Sequence, residues 1–134
     1  MGSTEAILQQ QIADYLKLQY PDVVFHSDFG SGTKLTMGQA VRQKRQNGGR
    51  RAWPDMFVAK PFILNNIVIY CGLFIELKRE GTRLKKKNGE WASKHIAEQA
   101  ATIEALKDRN YYAAFACGFD EAKRLIDIYI KGIT

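Results

Sequence analysis

The chain has 134 residues and a mass of 15.2 kDa, with 20 Lys and Arg against 14 Asp and Glu, a net charge of +6 and a pI near 9.4. That length suits one hydrophobic core, and 46% hydrophobic with 25% charged residues excludes a collagen, a disordered tail and a coiled coil. The basic surplus points to a polyanionic partner and says nothing about the fold.

From residue 5 to residue 20, Ile7, Leu8, Ile12, Tyr15 and Leu16 recur at helical spacing, with Ser3 or Thr4 as cap and Pro21 as stop. Val23-Val24-Phe25 reads as a short strand, ended by the polar, glycine-bearing run from His26 to Gly32. Residues 33–51 are polar, basic and weakly periodic, a long loop with room for one short helix. Asp55 to Ala59 forms a second strand, Pro61 to Asn66 a turn, and Ile67 to Lys78 a third strand running through Gly72. The second and third strands are expected to pair as a hairpin. After a basic, turn-prone stretch, residues 91–109 place Ile96, Ala100, Ile103 and Leu106 on one helical face. A fourth strand is expected over 111–116 and a last helix over 119–131, with Ala122, Leu125, Ile126 and Tyr129 as its stripe. The predicted order is α-β-β-β-α-β-α in one domain spanning 1–134.

Several function classes fall away at once. The longest apolar run, Ile67 to Ile75, is far short of the ~20 residues that span a bilayer. The opening Met1-Gly2-Ser3-Thr4-Glu5 has neither a cationic segment nor an apolar core, so no secretion signal is expected. Cys71 and Cys117 lack metal-ligand spacing and are expected to be reduced, buried thiols in a cytoplasmic setting. Gly30-Ser31-Gly32-Thr33-Lys34 lacks the spacing of a nucleotide-binding loop, so no nucleotide cofactor is expected. His26 and His95 have no zinc-type partner and are expected to be structural or surface residues.

The chemistry concentrates on the third strand. Side chains alternate along it, so Phe74, Glu76 and Lys78 share one face and Leu73, Ile75 and Leu77 the other. An acid and a base side by side after Leu73-Phe74-Ile75 can be a plain terminal salt bridge. Pro54-Asp55 changes that, because strand pairing brings Asp55 beside Glu76, and two adjacent carboxylates repel unless a proton or a cation lies between them. Hard oxygen ligands with open positions suit Mg²⁺ or Mn²⁺, and a nearby lysine can orient a water and offset charge on a phosphate. Gln99 shares its helical face with Ile96 and Ile103, where an amide needs polar partners.

Pro54-Asp55 followed by Glu76-Leu77-Lys78 resembles the PD-(D/E)xK nuclease signature, and the element order is similar to that superfamily's core. Glu5 in the first helix and Gln99 in the second resemble the accessory positions of its VRR-NUC branch, the virus-type replication-repair nucleases, from Glu5 to about Phe115. The resemblance implies an α/β, restriction-endonuclease-like domain with a small mixed sheet flanked by helices. It implies a metal held by Asp55, Glu76, the Ile75 carbonyl and Glu5, with Lys78 positioning the water and Gln99 supporting it. It further implies a stand-alone viral or bacterial homodimer that cuts branched DNA, four-way junctions foremost. A nicking or end-trimming nuclease of the same fold, or a non-catalytic basic DNA-binding module, are the alternatives.

The charge is distributed to match. Arg42, Lys44, Arg45, Arg50 and Arg51 make 42–51 a +5 segment, and Lys78, Arg79, Arg83, Lys85, Lys86 and Lys87 against Glu80 make 78–87 another, leaving −4 elsewhere. One run precedes Pro54-Asp55 and the other follows Glu76, as phosphate-gripping segments on either side of a cutting site would. Gly48-Gly49, Gly81 and Gly89 would let these segments close around a bent strand. Trp53 and Trp91 beside them are expected to be core anchors before they are base-stacking platforms.

Overall fold

The central strand β5 (Leu73–Lys78) has hydrogen-bonded neighbours on both edges and is buried along nearly its whole length. A computed structural model describes residues 4–28, 35–50 and 52–132. Arg51 and the Gly30-to-Lys34 stretch lie outside the described residues. The elements are α1 (Thr4–Gln19), β1 (Phe25–Ser27), α2 (Met37–Gln46), β2 (Met56–Val58), β3 (Phe62–Leu64), β4 (Ile67–Tyr70), β5, α3 (Lys94–Lys107), β6 (Tyr112–Cys117) and α4 (Phe119–Lys131). The main sheet has the order β1-β2-β5-β6, antiparallel except for the parallel pair β5–β6 that α3 connects. It is the mixed sheet between helices that the sequence implied.

The period-two pattern of β5 divides the core. Leu73, Ile75 and Leu77 join Met56, Val58 and Ala116 against Leu8, Ile12 and Leu16 of α1 and Ala122, Ile126 and Tyr129 of α4. Phe74 faces the other layer, with Ile103, Leu106 and Ala113. Glu76 and Lys78 share the Phe74 face by alternation, so two ionisable groups enter the fold on the side covered by α3.

Three boundaries depart from the sequence reading. The Ile67-to-Lys78 run is two strands, interrupted at Cys71-Gly72, because Gly72 lies against the preceding sheet neighbour. A Cβ there would come within 2.7 Å of the Phe57 ring and 3.1 Å of the Val58 carbonyl oxygen. Residues 61–66 are mostly strand: only Asn65-Asn66 turns, both at positive φ, as a two-residue hairpin loop requires, and β3–β4 forms a separate two-stranded sheet. The first strand begins at Phe25, and Val24 is exposed. Neither thiol is fully buried: Cys71 is exposed and Cys117 half-buried. Trp53 is 38% exposed against Phe74, and Trp91 is half-buried beside Phe115, so neither anchors the core. No helix among the described residues is long and apolar enough to cross a membrane.

Asp127 ties α4 to α1, accepting hydrogen bonds from Tyr15 (2.5 Å), Tyr20 (2.6 Å) and Lys123 (3.1 Å). Burial works to raise its pKa, and the two hydroxyls and the ammonium outweigh it, holding the carboxyl below its ordinary 3.8. A depressed carboxylate contributes stability that is present above the unfolded pKa and lost as pH falls through the folded one. Asp127→Asn is therefore expected to lower the thermal midpoint at neutral pH, with the gap to wild type closing below about pH 4. Gly72→Ala is expected to cost about 1–3 kcal/mol in urea unfolding at unchanged m, because the Phe57 ring that must move is stacked on Phe74 at 4.5 Å.

Candidate metal and nucleic-acid site

The site forms where β2 and β5 stop pairing. The ladder's last pair at this end is Met56 with Ile75, and the residues beyond it are Asp55 and Glu76. Where a backbone carbonyl would continue the ladder, Asp55 Oδ2 accepts the Leu77 N–H at 2.7 Å. That substitution of carboxylate for carbonyl satisfies a buried donor while ending the strand pairing. On the outer side of Asp55, the Asp28 N–H donates to the Asp55 carbonyl at 2.8 Å, which brings the end of β1 to the same place.

Asp55, Glu76, Lys78 and Gln99 are all buried, between 5% and 8% exposed. Gln99, in the first half of α3, donates through Nε2 to Glu76 Oε1 at 2.6 Å. Its sequence-level position on an apolar helical face is thus resolved inward, as a partner of the acid. Burial raises the Glu76 pKa, the neighbouring Asp55 charge raises it further, Lys78 works to lower it, and a side-chain hydrogen bond with Asp55 and the more distant Glu5 charge add smaller upward pushes, leaving the carboxyl at about 9. Among the described residues, two buried oxygens, Glu76 Oε2 and Gln99 Oε1, have no hydrogen-bond partner. Buried polar oxygens without partners are costly, and a cation with its waters would satisfy both. The donor set of two carboxylates and an amide oxygen therefore fits Mg²⁺ or Mn²⁺.

Glu5, half-buried in the first turn of α1, lies within electrostatic reach of Glu76. Among the described residues no three His, Cys, Asp or Glu side chains gather into a metal-binding group, so the structure does not bring Glu5 into one set with Asp55 and Glu76. The side chain of Ile75 is fully buried in the opposite layer. The sequence reading passed over Gln9. One helical turn after Glu5, it is 7% exposed and donates to Ser27 Oγ (2.6 Å) and the Asp28 carbonyl (2.9 Å), holding the end of β1 beside Asp55. A polar residue between Leu8 and Ile12, four after Glu5, was its signal.

The basic segments acquire local structure. Arg42, Lys44 and Arg45 ride on α2, whose residues are all solvent-accessible and whose start is closed by a Thr36–Gln39 capping box. Lys44 and Arg50 meet Lys94, Glu98 and Thr102 of α3 in a cleft of about 390 Å³. Arg50 reaches Thr102 Oγ1 at 3.4 Å. Lys94 was not singled out from the sequence; only the packing of α3 places it with the first run. Lys85, Lys86 and Lys87 sit on a small turn closed by hydrogen bonds from Lys86 to Glu90 and from Ala92 to Leu84, with Lys85 over the Trp91 ring at 4.7 Å. Arg79 is exposed, and Arg83 shares a depression with Glu80, Asp120 and Glu121, which weakens its field for an anion. His26 and His95 are exposed.

This architecture, a mixed sheet with two acids at the end where its central strands part, defines a restriction-endonuclease-like α/β domain. A solved structure described as a VRR_NUC domain protein superposes with a TM-score of 0.64 over 98% of this chain and 91% of its own, at 22% identity, and the chain has that fold. No family model matches the chain, and no curated protein matches it.

In chelator at about pH 8, Glu76→Gln is expected to raise the thermal midpoint by a few degrees, because folding the wild type then requires taking up a proton on a carboxyl whose pKa rises on burial. Added Mg²⁺ or Mn²⁺ is expected to stabilise the wild type and leave Glu76→Gln unmoved, which thermal melting would read directly.

Proposed function

We propose that this chain is a metal-dependent DNA nuclease that hydrolyses a phosphodiester. The observation that carries the reading is the buried Asp55–Glu76–Gln99 cluster, in which two oxygens have no hydrogen-bond partner among the described residues. Asp55 and Glu76 would hold Mg²⁺ or Mn²⁺, with the Ile75 carbonyl as a further donor and Glu5 in the ion's outer shell. Bound there, the ion would supply Lewis acidity at the phosphate and an acidified water.

The chain's own groups account for the rest of the chemistry. Leu77's N–H fixes one oxygen of Asp55, so the second oxygen has a defined direction. Gln99 fixes Glu76 in the same way and keeps its own carbonyl oxygen free for a water or the metal's hydration shell. Lys78, buried on the same strand face, carries a positive charge that can hold a water's oxygen in line and offset charge on the phosphate. Arg50, Lys44 and Lys94 would grip the backbone on one flank and Lys85 to Lys87 on the other. Such contacts position a strand without reading its sequence.

The likeness to the VRR-NUC branch extends the proposal to branched DNA cut by a homodimer, because one chain offers one site and paired cuts need two. Asp55→Asn, Glu76→Gln and Lys78→Ala are each expected to reduce cleavage of a labelled four-way junction in Mg²⁺ or Mn²⁺ by about a thousandfold or more while binding persists. Wild-type rates in any of the three would remove the assignment. Salt-sensitive binding with no metal-dependent product from the wild type would leave a DNA-binding module instead.

A further inference from the structure

From Pro61 to Ile75 the chain runs fifteen residues without Asp, Glu, Lys or Arg, although one residue in four is charged overall. A buried strand accounts for the second part of that run. The first part is the β3–β4 hairpin, and it is not buried. Ile63, Leu64, Ile67, Val68 and Ile69 are 39% to 62% exposed, and Ile128 of α4 stands beside them at 40%. The hairpin's inner side is well anchored: Phe62 and Tyr70 pack on Tyr129, whose hydroxyl donates to the Lys60 carbonyl at 2.7 Å. The anchoring leaves an apolar groove of about 320 Å³ between the hairpin and α4, bordered by Leu64, Ile69, Leu125 and Ile128.

We propose that this hairpin is the surface through which two copies of the chain associate. Its exposed aliphatic side chains offer on the order of 400 Å² of apolar surface, the scale of a functional patch on a monomer. That is also about half of the roughly 800 Å² per partner that a standard interface covers, close to the non-polar fraction of such interfaces.

Charge selects the occupant. Two copies of a +6 chain repel each other on the whole, and a contact through an uncharged face avoids bringing either +5 segment against its counterpart; this is the longest charge-free segment in the sequence. The absence of cations also disqualifies the ribbon as a nucleic-acid surface. Geometry agrees. Each strand of the two-stranded sheet has one edge with no strand partner among the described residues, and neither strand carries the lysine or charge that usually guards such an edge. An antiparallel edge contact between identical strands is compatible with a two-fold axis, where one patch complements itself. The hairpin adjoins the first residue of β5, and Glu76, opposite Asp55, lies three residues further along that strand, about 10 Å away at strand rise. Association here leaves both basic faces open to DNA.

The proposal rests on the homodimer part of the functional reading and is tested apart from cleavage. Analytical ultracentrifugation of the full chain at micromolar concentration is expected to give twice the 15.2 kDa chain mass. Val68→Asp, at a solvent-facing position, is expected to weaken self-association on the order of a hundredfold, since a two-fold interface carries the change twice. Its circular dichroism and thermal unfolding are expected to match wild type at monomeric concentrations. Leu18→Asp, on an 85% exposed residue of α1, serves as the control and is expected to remain dimeric. Asp55→Asn is expected to remain dimeric and inactive, whereas Val68→Asp nicks junctions without paired cuts, so loss of chemistry and loss of the interface read separately. A monomeric wild type, a dimer indifferent to Val68→Asp, or equal disruption by Leu18→Asp overturns the proposal. So does a monomer that instead binds neutral phospholipid vesicles through the hairpin.

Discussion

Two carboxyl groups buried side by side at the end of a sheet set the terms for the surrounding structure. Asp55 and Glu76 repel when both are ionised, and burial removes the water that would screen them. Each is held by a donor that only the fold can deliver, the Leu77 N–H for one and the Gln99 amide for the other. Lys78 adds a compensating charge on the same strand face. Among the described residues, one oxygen of Glu76 and one of Gln99 still lack a partner. A structural ion pair would have closed those valences with side chains already present.

The rest of the architecture follows from delivering those donors. β5 must be central, since its N–H groups serve β2 on one edge and β6 on the other, and its parallel partner β6 requires a crossover helix. That helix is α3, and it lands Gln99 over Glu76. The acids thus sit where β2 leaves the edge of β5, beside a stretch of β5 that is still paired with β6. The positive charge gathers around this end, on α2, on the turn after β5 and on the flank of α3, while the other end of β5 meets the neutral hairpin.

Much of this was legible in the sequence. Helical stripes located α1, α3 and α4, the last over 119–131 to the residue, because Gly118 and Gly132 bracket one uninterrupted apolar periodicity. Pro54-Asp55 and Glu76-x-Lys78 could be placed together because strand pairing converts a twenty-residue separation into adjacency. The failures have a shared cause. The Ile67-to-Lys78 run reads as one buried strand by composition, yet its first four residues form half of an exposed ribbon. Hydrophobicity records what could be covered, and coverage depends on elements far along the chain. Trp53 and Cys71 misled for the same reason.

By itself, then, the sequence determined the helices, the strand alternation that puts an acid and a lysine on one face, and the uneven distribution of charge, since each depends on residues a few positions apart. Tertiary structure alone decided that Gln99 donates to Glu76, that Asp55 takes the Leu77 N–H, that Gln9 holds the end of β1, and that Lys94 joins the Arg50 cleft. Those contacts join residues whose separation in sequence exceeds any helical or strand period, so no local pattern encodes them, and only the packing of α1 and α3 about β5 brings them within bonding distance.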